Sequence, residues 1–402
     1  MSSATLPRLP LDLVCHILQR ALFHLDHTER PLLALSVSLV CRDLRAVGQG
    51  ALYAVVRIGN DRPSPPAMLD RLTDSKSGLS SFVRRVEWVH NGSFDDYELG
   101  EAFRSTYNSD RDTWERILRC SKRASAVLLD GFPPTETAAA MEDLTFTGRL
   151  HRFEAVIIRA TPPTRKAASS LPPYTDRAEL GVAYAVSALP SLSHLDSNLF
   201  VDEGPSPYIL SSRPLLRLQH FHARAAGPPF PSLSSKLLPP VLDRIDTSTL
   251  LEVSIGVTPT RTAFLAWLAS GSFPSVCTLS FFTSSDPLSD LLPLLSPLLP
   301  TFPSLDSLEL ALLPNTAPPA CTAEADLSAL RSFLVSLPRT LRRASLPFLL
   351  DGFKINVETL LGEASGSALV SVRFELGGEV ERWMRERPNA PWVRERQERM
   401  GK

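Results

Sequence analysis

The chain has 402 residues, of which 44% are apolar and 21% charged, and its 42 basic residues face 43 acidic ones for a formal net charge of −1. That length suits two or three ordinary domains, or one extended repeat domain with a small domain attached, and the apolar fraction excludes a chain disordered throughout. The charge balance excludes a global field that would draw the protein to nucleic acid or to an anionic membrane, so partner choice has to come from local surfaces.

Leu9 and Pro10 open the first predicted helix, where proline is tolerated because its missing N–H would have no intrahelical partner in the first turn. Leu13, Val14, Ile17, Leu18 and Leu22 recur at helical spacing and form one apolar stripe. Thr28 is placed to cap a second short helix, with Leu32, Leu33 and Leu35 supplying its apolar face. A third helix is predicted to begin near Ser36 or Ser38, to carry Leu39, Val40, Leu44 and Val47, and to end at Gly48 and Gly50.

Three strings stand in order here: L-P-L-D-L-V-C-H-I-L at Leu9 to Leu18, L-A-L-S-V-S-L-V-C-R-D-L-R at Leu33 to Arg45, and A-L-Y-A-V-V at Ala51 to Val56. Together they resemble the F-box family, which opens on leucine-proline, continues through an apolar helix and an L-V-C-R-x-L-R helix, and closes on leucine-tyrosine or leucine-tryptophan. The resemblance implies a small three-helix unit over residues 1–58 that binds a Skp-type adaptor and, through it, a cullin-RING ubiquitin ligase. The positions matching the family's docking face are Leu9, Pro10, Leu13, Ile17, Leu18, Leu39, Val40, Leu44 and Leu52. Fewer than about 60 residues bury too small a fraction of their surface to be comfortably stable alone, which calls for a partner surface or a downstream domain. Each fully buried leucine or isoleucine contributes roughly 1.5–3 kcal/mol, so several on one face can drive docking after association costs are met. The alternative is that these helices cap a scaffold and bind nothing.

The proline-rich stretch Asp61 to Pro66 marks a junction, with Val56 and Ile58 already alternating as a first strand. Beyond it a motif returns: L-P-S-L-S-H-L at Leu189 to Leu195, F-P-S-V-C-T-L-S-F at Phe273 to Phe281, F-P-S-L-D-S-L-E-L at Phe302 to Leu310, and L-P-R-T-L-R-R-A-S-L at Leu337 to Leu346. Reduced to L-x-x-L-x-L, it also fits Val83, Val86 and Trp88; Ala124, Val127 and Leu129; Leu250, Val253 and Ile255; and Leu369, Val372 and Phe374, with weaker versions around Leu150 to Ala155 and Leu215 to Phe221. From Ile255 to Phe281 is 26 residues, from Phe281 to Leu310 is 29, to Leu346 another 36, and to Phe374 another 28. These steps resemble degenerate leucine-rich repeats, whose units run about 20–29 residues, with insertions in some.

Alternate strand side chains face opposite ways, so the last two apolar positions of each motif point into one core. A preceding proline costs no ladder hydrogen bond at strand entry. Helices are predicted between strands at Trp114, Ile117 and Leu118, at Phe264, Leu265 and Leu268, and at Leu327, Leu330, Phe333, Leu334 and Leu337. The expected fold class is therefore α/β: an F-box-like helical unit, then a right-handed leucine-rich-repeat-like solenoid with a parallel sheet over residues 59–378, then a charged tail or cap over 379–402. The alternative is a non-solenoid α/β domain with unrelated strands. The stretches Thr161 to Pro173, Val201 to Pro214 and Pro314 to Thr322 read as inserted loops, either linkers or parts of a binding rim.

Chemistry-bearing motifs are scarce. The sequence has no G-x-S-x-G elbow, phosphate loop, G-x-G-x-x-G or H-E-x-x-H. His220 and His222 flank Phe221 in a strand-like stretch and could share a face, with no carboxylate near them in sequence; His24 and His27 bracket Asp26 in a loop. Cys15, Cys41, Cys120, Cys277 and Cys321 are scattered and odd in number, the pattern of reduced intracellular thiols. Arg8, Asp12 and His16 disfavour a signal peptide, and the run from Leu291 to Leu299 is broken by Pro293 and Pro297. The reading that joins these features is a cytoplasmic or nuclear, non-enzymatic recognition subunit: a Skp-type adaptor bound through the first helices, an unidentified protein target held by the repeats, no cofactor, no metal, no nucleic acid and no membrane. The rivals are a plain repeat scaffold and a hydrolase with an unrecognised site.

Overall fold

The computed structural model describes residues 10–24, 29–59, 63–74, 76–90, 101–131, 140–141, 153–159, 191–197, 215–223, 242, 244–257, 262–283, 288–312, 324–349, 360–362, 368–376, 379–388 and 390–396. The chain divides into two units, Met1–Phe132 and Pro133–Lys402, so the first repeats belong with the helices.

In the first unit, helices α1 (Leu11–His24), α2 (Glu29–Val40) and α3 (Arg42–Tyr53) enclose a core of Leu22, Ala34, Val37, Leu44 and Val47. Two expectations change. The chain breaks at Cys41, in extended conformation at φ −158° and ψ 168°, and α3 runs through Gly48 and Gly50 instead of stopping there. A Cβ on Gly48 would stand 2.5 Å from the Ala34 carbonyl oxygen and 2.6 Å from the Ser38 nitrogen, so this glycine is where the two backbones cross and not a helix stop. The same close crossing demands small residues on α2. Its buried face is therefore Ala34 and Val37, while Leu32, Leu33 and Leu35 point outward.

Strand β1 (Val55–Gly59) follows, then α4 (Pro66–Thr73), a short 3-10 helix at Leu79–Phe82, β2 (Arg85–Val89), α5 (Glu101–Cys120) and β3 (Ala126–Asp130). The three strands pair in parallel and in chain order. Val56, Val86 and Val127 form one buried layer and Ile58, Trp88 and Leu129 the next. Trp114 of α5 packs on Trp88 with ring centroids 5.5 Å apart.

The second unit contains β4 (Ala155–Arg159), β5 (His194–Ser197), β6 (His220–Ala223), β7 (Glu252–Val257), α6 (Thr262–Ser270), β8 (Thr278–Thr283), α7 (Leu288–Leu295), a 3-10 helix at Ser296–Thr301, β9 (Ser307–Leu312), α8 (Glu324–Val335), β10 (Arg343–Leu349), β11 (Ser371–Leu376), β12 (Glu379–Met384) and β13 (Val393–Arg396). Strands β4 to β11 are parallel neighbours in chain order. The motif's apolar positions line up as continuous layers, such as Val253, Leu279, Leu308, Ala344 and Val372, then Ile255, Phe281, Leu310, Leu346 and Phe374, all buried. Phe273 stacks on Phe302 at 4.8 Å, which continues the same repetition between strands. This is the mixed α/β, mostly parallel arrangement that the motif predicts.

Register is set before each strand begins. The Leu251 carbonyl accepts N–H groups from both Cys277 and Thr278, Cys277 accepts from Asp306 and Ser307, and Asp306 accepts from Arg342 and Arg343. Ala54 and Arg84 of the first unit do the same for the strands that follow them. The donors are N–H groups that a strand entry would otherwise leave unpaired, so the second residue of each motif clamps the next repeat.

Within the C-terminal segment, Glu379–Met384 and Val393–Arg396 form a strand pair. β12 pairs antiparallel with β11, and β13 with β12. Trp383 is buried there, and the Arg385 guanidinium carbon lies 4.6 Å from the Trp392 ring centre while its Nε donates to the Leu369 carbonyl. Burial lowers the Arg385 pKa from its ordinary value. Such a pair covers the last parallel strand and matches the capping alternative for the C-terminal tryptophans.

Candidate functional site

The first candidate surface lies on the three helices. Leu13 and Ile17 share one face of α1 at helical spacing and are 44% and 50% exposed; Leu32, Leu35 and Leu39 recur along α2 and, with Val40, are 50–74% exposed. Large aliphatic side chains this exposed, at regular spacing on two short helices, mark an interaction surface more than a random surface composition would. Pro10 and Leu11 are exposed beside them. Leu9 lies outside the described residues.

Not every residue matched to the docking face is available to a partner. Leu44 is buried in the three-helix core, and Leu18 and Leu52 are half-buried against it. Their part is to hold the helices together. In exchange, Leu11, Leu32, Leu33 and Leu35 join the exposed set. Periodicity counted from α1 and α3 could not assign the faces of α2, because the Gly48 crossing turns Ala34 and Val37 inward in place of the leucines.

The second candidate surface is the polar face of the second unit's sheet. Strand alternation sends the motif's third and fifth positions away from the apolar layers. Across β5 to β11 they form two rows: His194, His220, Glu252, Thr278, Ser307, Arg343 and Ser371, and beside them Asp196, His222, Ser254, Ser280, Glu309, Ser345 and Arg373. All of these residues are polar. Imidazoles and carboxylates gather at β5 to β7, hydroxyls with Glu309 fill the middle, and arginines stand at β10 and β11; Asp196, Ser254 and Ser280 are buried within the second row.

At the imidazole end, Glu252 lies between two histidines. Its Oε2 is 3.0 Å from Nδ1 of His220 and its Oε1 is 3.2 Å from Nε2 of His222. The His194 ring stands 5.5 Å from that of His220 and 5.2 Å from that of His222. Burial, then the neighbouring charges of His222 and His220, hold the His194 pKa below its ordinary value, with Asp196 and Glu252 opposing the shift. Such a group can present a carboxylate and imidazole nitrogens to a partner. Among the described residues, no set of three His, Cys, Asp or Glu side chains is arranged to hold a metal ion.

Sequence reasoning singled out His220 and His222 but missed His194 and Glu252. The signal was present: His194, His220 and Glu252 all occupy the third position of their motifs, so aligning the motifs would have placed them in one row. Cys15, Cys41, Cys120 and Cys277 are free thiols, and Cys321, Asp26, His27 and the three inserted loops lie outside the described residues. Among the described residues, no helix is long and apolar enough to cross a membrane.

No family model matches the chain, and no curated protein matches it. Among solved structures, one described as the crystal structure of the Rad7 and Elc1 complex in yeast is similar over 91% of this chain and 80% of that chain, at 14% sequence identity and a TM-score of 0.38.

Proposed function

We propose that this chain is a substrate-recognition adaptor of a Skp-cullin-F-box type ubiquitin ligase: the exposed apolar faces of α1 and α2 dock a Skp-type adaptor, and the polar face of the repeats holds a protein target. The chain performs no chemistry itself and uses no cofactor. The observation that carries the reading is the set of outward leucines and isoleucine on helices whose sequence resembles an F-box. A short helical unit gains nothing from exposing Ile17 and Leu39 unless a second surface covers them, because each costs free energy in water that burial would recover.

The repeat face suits the second half of the role. Between acid–imidazole and arginine ends, the half-buried hydroxyls of Thr278, Ser307, Ser345 and Ser371 offer hydrogen bonds over a long rigid surface, the usual strength of stacked repeats in gripping a folded partner. Its composition is polar enough to stay soluble when empty.

Co-expression with a Skp-type adaptor tests the reading. The native chain is expected to co-purify, and a variant carrying Leu13→Asp with Ile17→Asp to remain folded and lose the adaptor. Failure of the native chain to co-purify, or equal capture by the folded variant, leaves the plain repeat scaffold as the better description.

A further inference from the structure

Beneath α3 in the first unit lies a half-open pocket of about 750 Å³ that neither docking surface uses. Its volume falls within the roughly 300–1,000 Å³ typical of small-molecule sites. Leu22, Val47, Ala51 and Phe82 provide apolar wall, and Arg85 and Glu87 a charged end.

The charge at that end is unbalanced. Glu87 is fully buried; its Oε2 accepts from Arg57 Nε at 2.8 Å and lies 2.8 Å from Arg57 Nη2. That bond already neutralises the carboxylate. Arg85 supplies a second guanidinium, whose Nε stands 2.9 Å from Glu87 Oε1 without hydrogen-bond alignment, leaving both of those atoms without a hydrogen-bond partner. One acid thus faces two cations, and the surplus positive charge sits on Arg85, whose side chain stays about one-third exposed at the wall of a half-open, mostly apolar pocket; Arg84 lines the same pocket, and its Nη1 donates to the Ser81 and Val83 carbonyls. Guanidinium is suited to gripping a carboxylate, and a water-filled chamber with aliphatic walls would leave those walls uncompensated.

We propose that this cavity binds a small amphipathic carboxylate, its head group on Arg85 and its apolar body against Leu22, Val47 and Phe82. A single carboxylate head suffices, because Arg57 is committed to Glu87 and Arg84 Nη1 to the Ser81 and Val83 carbonyls, while Arg85 Nε lacks an aligned partner.

Decanoate and its neutral counterpart decanamide, titrated calorimetrically into the full chain below their aggregation concentrations, test the assignment. Decanoate is expected to bind, to raise the midpoint of thermal unfolding, and to bind about tenfold or more tighter than decanamide. Arg85→Gln is expected to remove that preference, and Arg85→Lys, which keeps the charge, to retain part of it. Gly50 lines the cavity from α3, and a Cβ there meets Phe82 only at 3.6 Å, so Gly50→Met adds a side chain to the chamber without disturbing the helix. That variant is expected to lose both probes while its unfolding midpoint without ligand stays level or rises. Absence of decanoate binding overturns the proposal, as does equal affinity for the two probes or a preference that survives Arg85→Gln.

Discussion

Glu252 Oε2 lies 3.0 Å from Nδ1 of His220, although 32 residues separate them, because β6 and β7 place the same motif position of successive repeats side by side. The contact costs the core nothing, since Phe221 and Val253 pair on the opposite face. It also joins Glu252 to His222, and the histidine rings extend the group to His194, whose protonation is coupled to folding through burial and its neighbours' charges.

That coupling has a sign. The folded chain holds the His194 pKa below the ordinary 6.5, so the unfolded chain binds the proton more readily. The contribution is complete above about pH 6.5, where both states are neutral at this site. It is lost as pH falls from there through the lowered folded value. Urea unfolding at pH 7.5, 6.5 and 5.5 should therefore show the native chain losing more stability over this range than His194→Gln. Parallel pH dependence in the two proteins would show that His194 does not contribute.

Gly48→Ala should destabilise the first unit by about 1–3 kcal/mol, the usual cost of forcing volume into a packed site, even though alanine is the better helix former by about 1 kcal/mol. The new methyl meets the Ala34 carbonyl oxygen and the Ser38 nitrogen, both backbone atoms of α2 that cannot swing aside. Chemical denaturation checks it. Gly50→Ala, two residues on, meets only Phe82 at 3.6 Å and should be neutral or stabilising.

The contrast between these glycines shows where the sequence is legible. Leu250, Val253 and Ile255 announce a strand because their spacing reports which side chains share the core, and every such triplet lies buried. Gly48 and Gly50 look alike in sequence, and only the helix packed against one of them separates their roles. The row of His194, His220 and Glu252 is likewise set by strand neighbours tens of residues apart. The alternating charges from Glu379 to Arg382 conceal a strand for a different reason: with antiparallel pairing, Arg373 faces Arg382 and Phe374 faces Glu381, so no simple apolar period survives.

Arg57→Ala should cost about 1–3 kcal/mol, because it takes from a fully buried carboxylate its aligned hydrogen-bond donor and leaves only Arg85, 2.9 Å away and unaligned. The loss is mainly the penalty of the unsatisfied carboxylate oxygen, not the worth of the pair. Adding Glu87→Gln should therefore recover part of it. Denaturant melts of the two single variants and the double variant separate the terms; additive losses would mean that the buried charge is not the cause.

Leu39 and Leu44 stand one helix break apart in sequence and should respond to aspartate in opposite ways. Leu39 is 74% exposed, so Leu39→Asp should change stability by no more than about 0.5 kcal/mol. Leu44 is 8% exposed within the helical core, and Leu44→Asp buries a charge that nothing there pairs, which should unfold the helices. If the helical face docks an adaptor, the first variant keeps its melting profile and loses capture, while the second loses both. A helical cap without a docking role predicts a different pair of results: Leu39→Asp leaves capture of any co-purifying protein unchanged, and only Leu44→Asp has an effect. Thermal melts combined with adaptor pull-down distinguish the two, because exposure alone assigns Leu39 to a surface and only its loss of capture assigns that surface a partner.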